Sequence, residues 1–408
     1  TVDALGRRTS AVYPDGSFET WAWSGDDELI RHVTRNGSIV TWTNDPEGLP
    51  LSASTDNSSA SPALVGSVWR AWTYDGMGRV LQSTDGNDPA TTDDDVTVTR
   101  VYDSLGRALR ETQTLGGSDP MQVDTEWQGE SRRVAQTHPA AGALPRRRVT
   151  RTFDALDRLA TIDGDPSVHH NGTPIAAYEY VGPSRDLRIT YANGATRQTL
   201  DPVSGSTVSG ATAGHDASGR PVRLDWGELS TWESTWSDAD RRTSQARTYS
   251  YEDAPFDPQL DTWVLDSARR MVAFDREMHV DGGEPLSRGN LLLPSMRDLD
   301  GADTMTSFVD EDWEVPLVVD PLNHRYDAAD GRARAFDDAS SLVDDGVFAF
   351  SYDAQGRPVT AVHTGLALPV LQLRYDADGR VAVREQATWW TGGTSTRRLV
   401  WSGPELVE

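Results

Sequence analysis

The chain has 408 residues and contains neither cysteine nor lysine; all 38 of its basic side chains are arginine. Without cysteine there are no disulfides, no thiolate nucleophiles and no Cys-ligated metal sites. Without lysine there is no Schiff base, no phosphate-loop lysine and no Lys–Asn crosslink. The plainest source of that second absence is a GC-rich coding sequence. Histidine is scarce, with eight copies. The adjacent pair His169 and His170 precedes an Asn171-Gly172 turn; neighbours on a strand point to opposite faces and make poor joint ligands. No run approaches the ~20 apolar residues of a membrane span. Acidic residues outnumber basic ones 63 to 38, for a net charge of −25. That balance argues against a nucleic-acid partner, which needs a basic face, and is read as solubility. There is no G-x-S-x-G, no H-E-x-x-H and no phosphate-binding loop. No enzyme is expected and no cofactor is implied, although carboxylate pairs of the glycosidase type are present by composition alone.

What is present is a repeat. Tyr74–Arg79 reads Y-D-G-M-G-R, Tyr102–Arg107 Y-D-S-L-G-R, Tyr352–Arg357 Y-D-A-Q-G-R and Tyr375–Arg380 Y-D-A-D-G-R. Weaker copies start at Val2, Phe153, His215, Trp236 and Leu265, and Tyr326 opens one with an extra residue. The aromatic ends a strand. Asp follows, and its carboxylate accepts backbone N–H groups two residues on. Gly supplies a positive φ without steric cost. Arg opens the returning strand, where its planar group can cover the next aromatic ring. Each copy therefore reads as strand, tight turn, strand. An Asp–Arg pair that recurs in every unit is a structural part rather than a catalytic site. The repeat residues singled out are Tyr74, Asp75, Gly78, Arg79, Tyr102, Asp103, Gly106, Arg107, Tyr352, Asp353, Gly356, Arg357, Tyr375, Asp376, Gly379 and Arg380.

Along the chain, residues 1–251 read as one run of such units. Tyr13–Trp23 is a hairpin turning at Pro14, Asp15 and Gly16, and Asn36-Gly37 is expected to form a two-residue turn of the I′ kind. Residues 52–66 are polar and aperiodic, a surface loop. The acidic loop 85–95 clusters carboxylates but lacks EF-hand spacing and the closing Glu, so an exposed loop is expected and calcium binding is left open. Arg146–Arg148 is the only basic run and reads as a solvated strand end. Trp226, Trp232 and Trp236 read as core. Residues 252–325 are irregular and β-rich; within them Ser267–Met278 has the composition of a short helix, but Val272–Val280 alternates and a strand is expected there. Clean repeats return over 326–408. The chain opens almost inside a repeat and reads as a piece of something longer.

The four full copies, with Y-x-[ND]-G elements at Tyr13 and Tyr191, resemble the YD repeats of Rhs proteins, of the C components of insecticidal toxin complexes, and of teneurins. The resemblance implies an all-β fold: antiparallel YD-repeat hairpins forming a spiralling β-sheet shell, a hollow barrel or cocoon or a segment of one. Curling removes exposed strand edges, and a wall one strand thick carries mixed side chains on both faces, in keeping with a mean hydropathy of −0.54. The function it implies is non-catalytic: a shell segment that encapsulates or presents a C-terminal effector or toxin. The expected partners are that cargo domain and flanking repeats, with a delivery apparatus as a further one. The expected location is secreted or at the cell surface, in a bacterium. The alternative is an extracellular adhesion module that binds glycans or cell-surface proteins. The self-cleavage element that ends the repeats in toxin-bearing relatives has no counterpart here: Asp201-Pro202 and Asp320-Pro321 lie outside its pattern.

Overall fold

In the computed structural model the described residues are 1–60, 64–87, 93, 95–140, 145–165, 173–199, 214–227, 229–249, 259–265, 271–278, 286–287, 291–292, 307–310, 313–319, 326–329, 332–388 and 393–407. Among them every regular element is a strand. Among the described residues no helix is long and apolar enough to cross a membrane. By packing, the chain divides into two units. One comprises Thr1–Arg146, Asp320–Asp327 and Arg332–Glu408; the other comprises Arg147–Val319 and Ala328–Gly331.

The first unit opens with eleven strands: β1 (Ser10–Val12), β2 (Phe18–Trp23), β3 (Leu29–Val33), β4 (Ile39–Asn44), β5 (Pro50–Asp56), β6 (Trp69–Tyr74), β7 (Val80–Gly86), β8 (Val96–Tyr102), β9 (Ala108–Leu115), β10 (Met121–Gln128) and β11 (Arg132–Thr137). Each pairs antiparallel with the next, a plain meander. Its C-terminal stretch forms a seven-stranded antiparallel sheet from Ala335–Phe336 to Gly393–Arg398, followed by the short pair Trp401–Ser402 and Glu405–Leu406. The second unit repeats the meander through β12 (Arg148–Phe153), β13 (Leu159–Asp163), β14 (Ala176–Val181), β15 (Arg185–Tyr191), β16 (Thr196–Thr199), β17 (Arg223–Asp225), β18 (Ser230–Trp236), β19 (Arg242–Tyr249), β20 (Gln259–Leu265) and β21 (Met271–Met278).

The turns explain the meander. In Tyr74–Val80 the Asp75 N–H donates to the Arg79 carbonyl at 3.0 Å and the Gly78 N–H to the Asp75 carbonyl at 3.0 Å. The fourth turn residue, Gly78, has φ +76°, and the strand register shifts at the aromatic before it, between Thr73 and Tyr74. This is a three-residue hairpin loop closed by a glycine bulge, whose twist suits paired strands. The same pattern appears at Thr34–Ser38, where Thr34 N–H reaches the Ser38 carbonyl at 2.9 Å and Gly37 N–H the Thr34 carbonyl at 2.9 Å. The two-residue I′ turn expected at Asn36-Gly37 is therefore replaced. Only Gly37 of that pair has a positive φ, and the Thr34 hydroxyl, which accepts the Ser38 N–H at 3.1 Å, plays the part Asp has elsewhere.

Burial is sparse. In the first unit Val96 and Val98 of β8, Val123 of β10 and Ala135 of β11 are buried, and Val96 packs with Ala382, Val383 and Leu115. Trp226, Trp232 and Trp236 are half-buried rather than core. Their rings pack along the sheet, Trp226 and Trp232 with centroids 5.8 Å apart, and the indole N–H groups of Trp232 and Trp236 donate to Ser230 Oγ and the Pro221 carbonyl. Arg146 is not a solvated strand end: it folds back on β10, pairing with Asp124 at 2.6 Å and donating to the Gln122 carbonyl at 2.8 Å. The alternating stretch expected to be a strand rather than a helix forms one over Met271–Met278. Of the acidic loop, Asp85 belongs to β7, while residues 88–92 and 94 lie outside the described residues. So do His169 and His170, and the turn of the Leu265 copy.

The bulge position sets a testable cost. Gly106 has φ +83° and open space around an added Cβ, the nearest atom being Arg79 Nη1 at 3.7 Å. Gly106→Ala is expected to lower the urea-unfolding free energy by about 1 kcal/mol, the strain of a left-handed residue alone. Gly116→Ala, whose Cβ would lie 2.0 Å from the Asp93 carbonyl oxygen, is expected to cost at least twice that.

Candidate functional site

Each repeat turn is a small hydrogen-bonded machine built on one carboxylate. Asp75 Oδ1 accepts the N–H groups of Met77 and Arg79 at 2.9 and 3.0 Å, and Oδ2 accepts Arg79 Nε at 2.6 Å. Asp3, Asp103, Asp154, Asp216, Asp353 and Asp376 make the same three contacts with the residues two and four positions on. The Arg79 side chain and N–H hold the Asp75 carboxyl below its usual range; at Asp103 the Arg107 N–H is the leading cause of the same lowering. Asp376 goes the other way: burial raises it despite its Arg380 partner.

The paired arginine is then aimed at the next hairpin. Arg79 Nη1 donates to the Asp103 carbonyl at 3.0 Å and its guanidinium lies 4.7 Å from the Tyr102 ring centroid. Arg107 does the same to the Gly129 carbonyl and the Trp127 ring, at 2.5 and 5.5 Å. Arg220 reaches the Ser237 carbonyl and the Trp236 ring, and Arg380 the Gly403 carbonyl and the Trp401 ring. The aromatic returns the contact, to the carbonyl of the residue just after that arginine. Tyr102 Oη donates to Val80 O at 3.0 Å, Tyr375 Oη to Pro358 O at 2.7 Å, Trp127 Nε1 to Ala108 O at 2.9 Å and Trp401 Nε1 to Val381 O at 2.8 Å. Tyr and Trp are interchangeable at this place because both carry a ring and one donor.

The sixteen singled-out residues thus sit in four separate turns, held pairwise to neighbours and not gathered into one cleft. Four further turns escaped the sequence pattern or stood only as faint copies: Asp45–Leu49, Ser237–Arg241 and Asp337–Ser341 share both backbone bonds, and Ser24–Glu28 shares the outer one. At three of them Asp27, Asp240 and Ser340 take the glycine place, with φ of 72°, 60° and 67°. The signal that finds them is an aromatic followed by Ser or Asp, as in Trp23-Ser24, Trp236-Ser237 and Phe336-Asp337.

Within the first unit the C-terminal stretch meets the N-terminal strands through buried charge. Arg100 on β8 pairs with Glu111 on β9 at 3.0 Å and with Asp378. Glu111 also pairs with Arg380 at 2.8 Å, and Arg380 with Asp376 at 2.7 Å and Asp378 at 3.4 Å. Arg100, Glu111, Arg380 and Asp378 close a four-membered ring, with Asp376 joined to it through Arg380, and Glu111 is only 7% exposed. Arg398 extends the seam to the Gln113 and Asp119 carbonyls at 2.6 and 2.8 Å. Nearby, Asp85 is fully buried. Arg357 Nη2 is 4.0 Å away. Burial pushes the Asp85 carboxyl up to about 6, against a hydrogen bond from Ser67 and the pull of the Arg357 and Arg70 charges. No group of three or more metal-ligating side chains occurs among the described residues.

Neither a protein-family model nor a curated protein matches this sequence. Solved structures do match in fold. TcdB2-TccC3-TEV superposes with a TM-score of 0.68 at 12% identity over 98% of this chain and 21% of its own. TcdB2-TccC3 without its hypervariable C-terminal region gives 0.69 at 11% over 97% and 20%. A Tc holotoxin pore from Photorhabdus luminescens, with a substituted TccC3, gives 0.69 at 12% over 97% and 20%. The chain spans about a fifth of the length of these structures. At this identity they establish a shared all-β fold.

The seam generates two expectations. Asp85 is bound more tightly to its proton in the folded chain than in the unfolded one, where the ordinary value is 3.8. Its contribution to stability is therefore complete below about pH 4, falls as pH rises towards about 6, and is gone above that. The loss amounts to about 3 kcal/mol, so chemical denaturation from pH 4.5 to 7.5 should show a decline that Asp85→Asn flattens. Glu111→Ala leaves Arg100 and Arg380 with Asp378 as their one shared anion among the described residues. It is expected to destabilise the first unit by about 3 kcal/mol, little changed between 0.1 and 1 M salt because the site is shielded.

Proposed function

We propose that this chain is a non-catalytic wall segment of a Rhs-type YD-repeat shell, which confines or presents a C-terminal effector domain lying beyond the segment. The observation that carries this reading is the reciprocal clamp between neighbouring turns, repeated from Asp3 to Arg380. Such a device joins each hairpin to the next, so it builds sheet area and not a cleft. The fold likeness to TcdB2-TccC3 chains supports it, as does the hypervariable C-terminal region named in one of them. The mixed polar and apolar faces suit a wall wetted on both sides. Export or surface exposure in a bacterium, and a delivery apparatus as partner, follow from the same reading.

The test is made on the natural full-length product. Limited proteolysis under native conditions, read by intact mass, is expected to spare a C-terminal region that is cut at once after denaturation. A C-terminal region cleaved at the same rate in native and denatured samples would overturn confinement.

A further inference from the structure

Beyond the wall, the first unit holds a cavity that the clamp does not use. It lies between two turns, Tyr13–Ser17 and Asp337–Ser341, and has a volume of about 430 Å³. Asp15, Phe18, Arg35, Phe336, Asp337 and Asp338 line it. Arg35 ties the turns together: Nη2 pairs with Asp15 at 2.6 Å, Nε donates to Ser17 Oγ at 2.8 Å and Nη1 to Ser340 Oγ at 3.3 Å. Its guanidinium also stacks 4.0 Å from the Tyr13 ring centroid. The only cation of the lining is thus committed to a lining anion.

Asp337 is different. It is 5% exposed. Its Oδ1 accepts the Ser341 N–H at 2.7 Å, as a turn Asp should. Its Oδ2, which in the full repeats would take the arginine that Ser341 replaces, has no hydrogen-bond partner among the described residues. A buried carboxylate oxygen without a donor is costly. With Asp338 added and the Asp15–Arg35 pair cancelling, the lining carries two uncompensated negative charges beside two aromatic rings, and Phe18 is 56% exposed. Carboxylate and aromatic face together attract an organic ammonium. Among the described residues no cluster of three metal-ligating groups forms, so the charge balance is not that of a metal cage.

We propose that this cavity binds a small organic cation through its primary ammonium, with Asp337 Oδ2 accepting the N–H in place of the missing arginine and Phe18 flanking the cation. Two sources share that chemistry, an amino sugar and an aliphatic amine. The site is independent of the shell reading, since it uses no group of the clamp between full repeats.

The test is calorimetric titration of the whole chain with glucosamine, putrescine, glucose and calcium chloride. Saturable binding of glucosamine or putrescine with a Kd of about a millimolar, and at least tenfold weaker glucose, is the expected result. Whichever amine binds more tightly names the source. Asp337→Asn keeps the Ser341 cap and is expected to weaken the amine at least tenfold; Phe18→Ala, at an exposed position, about threefold. No saturable amine binding would overturn the proposal. So would amine binding unchanged in both variants, or calcium binding with the amines silent. If Asp337→Asn does not fold, Phe18→Ala and Asp338→Asn decide the matter by the same criterion.

Discussion

The full repeats of this molecule depend on one contact, the carboxylate of a turn Asp held against the guanidinium four residues on. By itself a partly exposed pair of this kind adds little stability. Its value is geometric. Asp75 spends Oδ1 on two backbone N–H groups and Oδ2 on Arg79 Nε, so the arginine leaves the turn in one direction. That direction places Nη1 on the next turn's carbonyl and the flat face of the group over the next ring. The ring's donor then closes the loop on Val80. Two hairpins that would each be marginal alone are fastened at their rims, and the fastening is passed along the chain.

The same contact gives the lack of lysine a second meaning. A coding bias suffices to account for it over most of the chain. At Arg79, Arg107 and Arg380 it does not, because lysine cannot serve the place. Three donors must act in fixed directions while the face of the group covers an aromatic ring, and a single ammonium has no face. The small apolar core points to the same division of labour. Val96, Ala382 and Val383 make the buried apolar cluster of the first unit, and buried polar groups such as Glu111, Asp376 and Asp85 surround it. Hydrophobic burial of this extent does not choose a register. Turn geometry does.

The strand-and-turn architecture was legible because the motif states its own physics: an aromatic donor, an Asp cap, a glycine of positive φ, an arginine fork. Where a residue departs from the motif but keeps the physics, legibility fails. Asp157 and Asp240 adopt the left-handed conformation that glycine was expected to supply, since a short polar side chain tolerates it. The turn at Thr34 was misread because Asn36-Gly37 carries a strong local signal for a two-residue loop, while the deciding group, the Thr34 hydroxyl, stands outside that pair. The ion ring was not legible at all. Glu111 and Arg380 are 269 positions apart; Arg380 reads as a repeat arginine aimed at the next ring, and nothing in the pattern points it to Glu111.

One sequence position nevertheless separates turns that meet nothing from a turn that meets the ring. The residue two places after the turn Asp is the tip. At Leu5, Met77, Leu105 and Leu156 it is apolar and 63–73% exposed. In the C-terminal repeats it is Gln355 and Asp378, and Asp378 pairs with both Arg100 and Arg380. The backbone of the turn is indifferent to this side chain, because its bonds are made by the residues on either side. The tip can therefore vary without cost to the hairpin, and a carboxylate placed there gives a turn already fixed by its Asp–Arg pair an outward contact. A repeat that fastens neighbours through four positions and leaves a fifth free can extend a sheet indefinitely and still be anchored at a chosen unit. In the first unit that anchor is where the C-terminal repeats meet β8 and β9, and the Arg380 that binds its own turn is the residue that completes the ring.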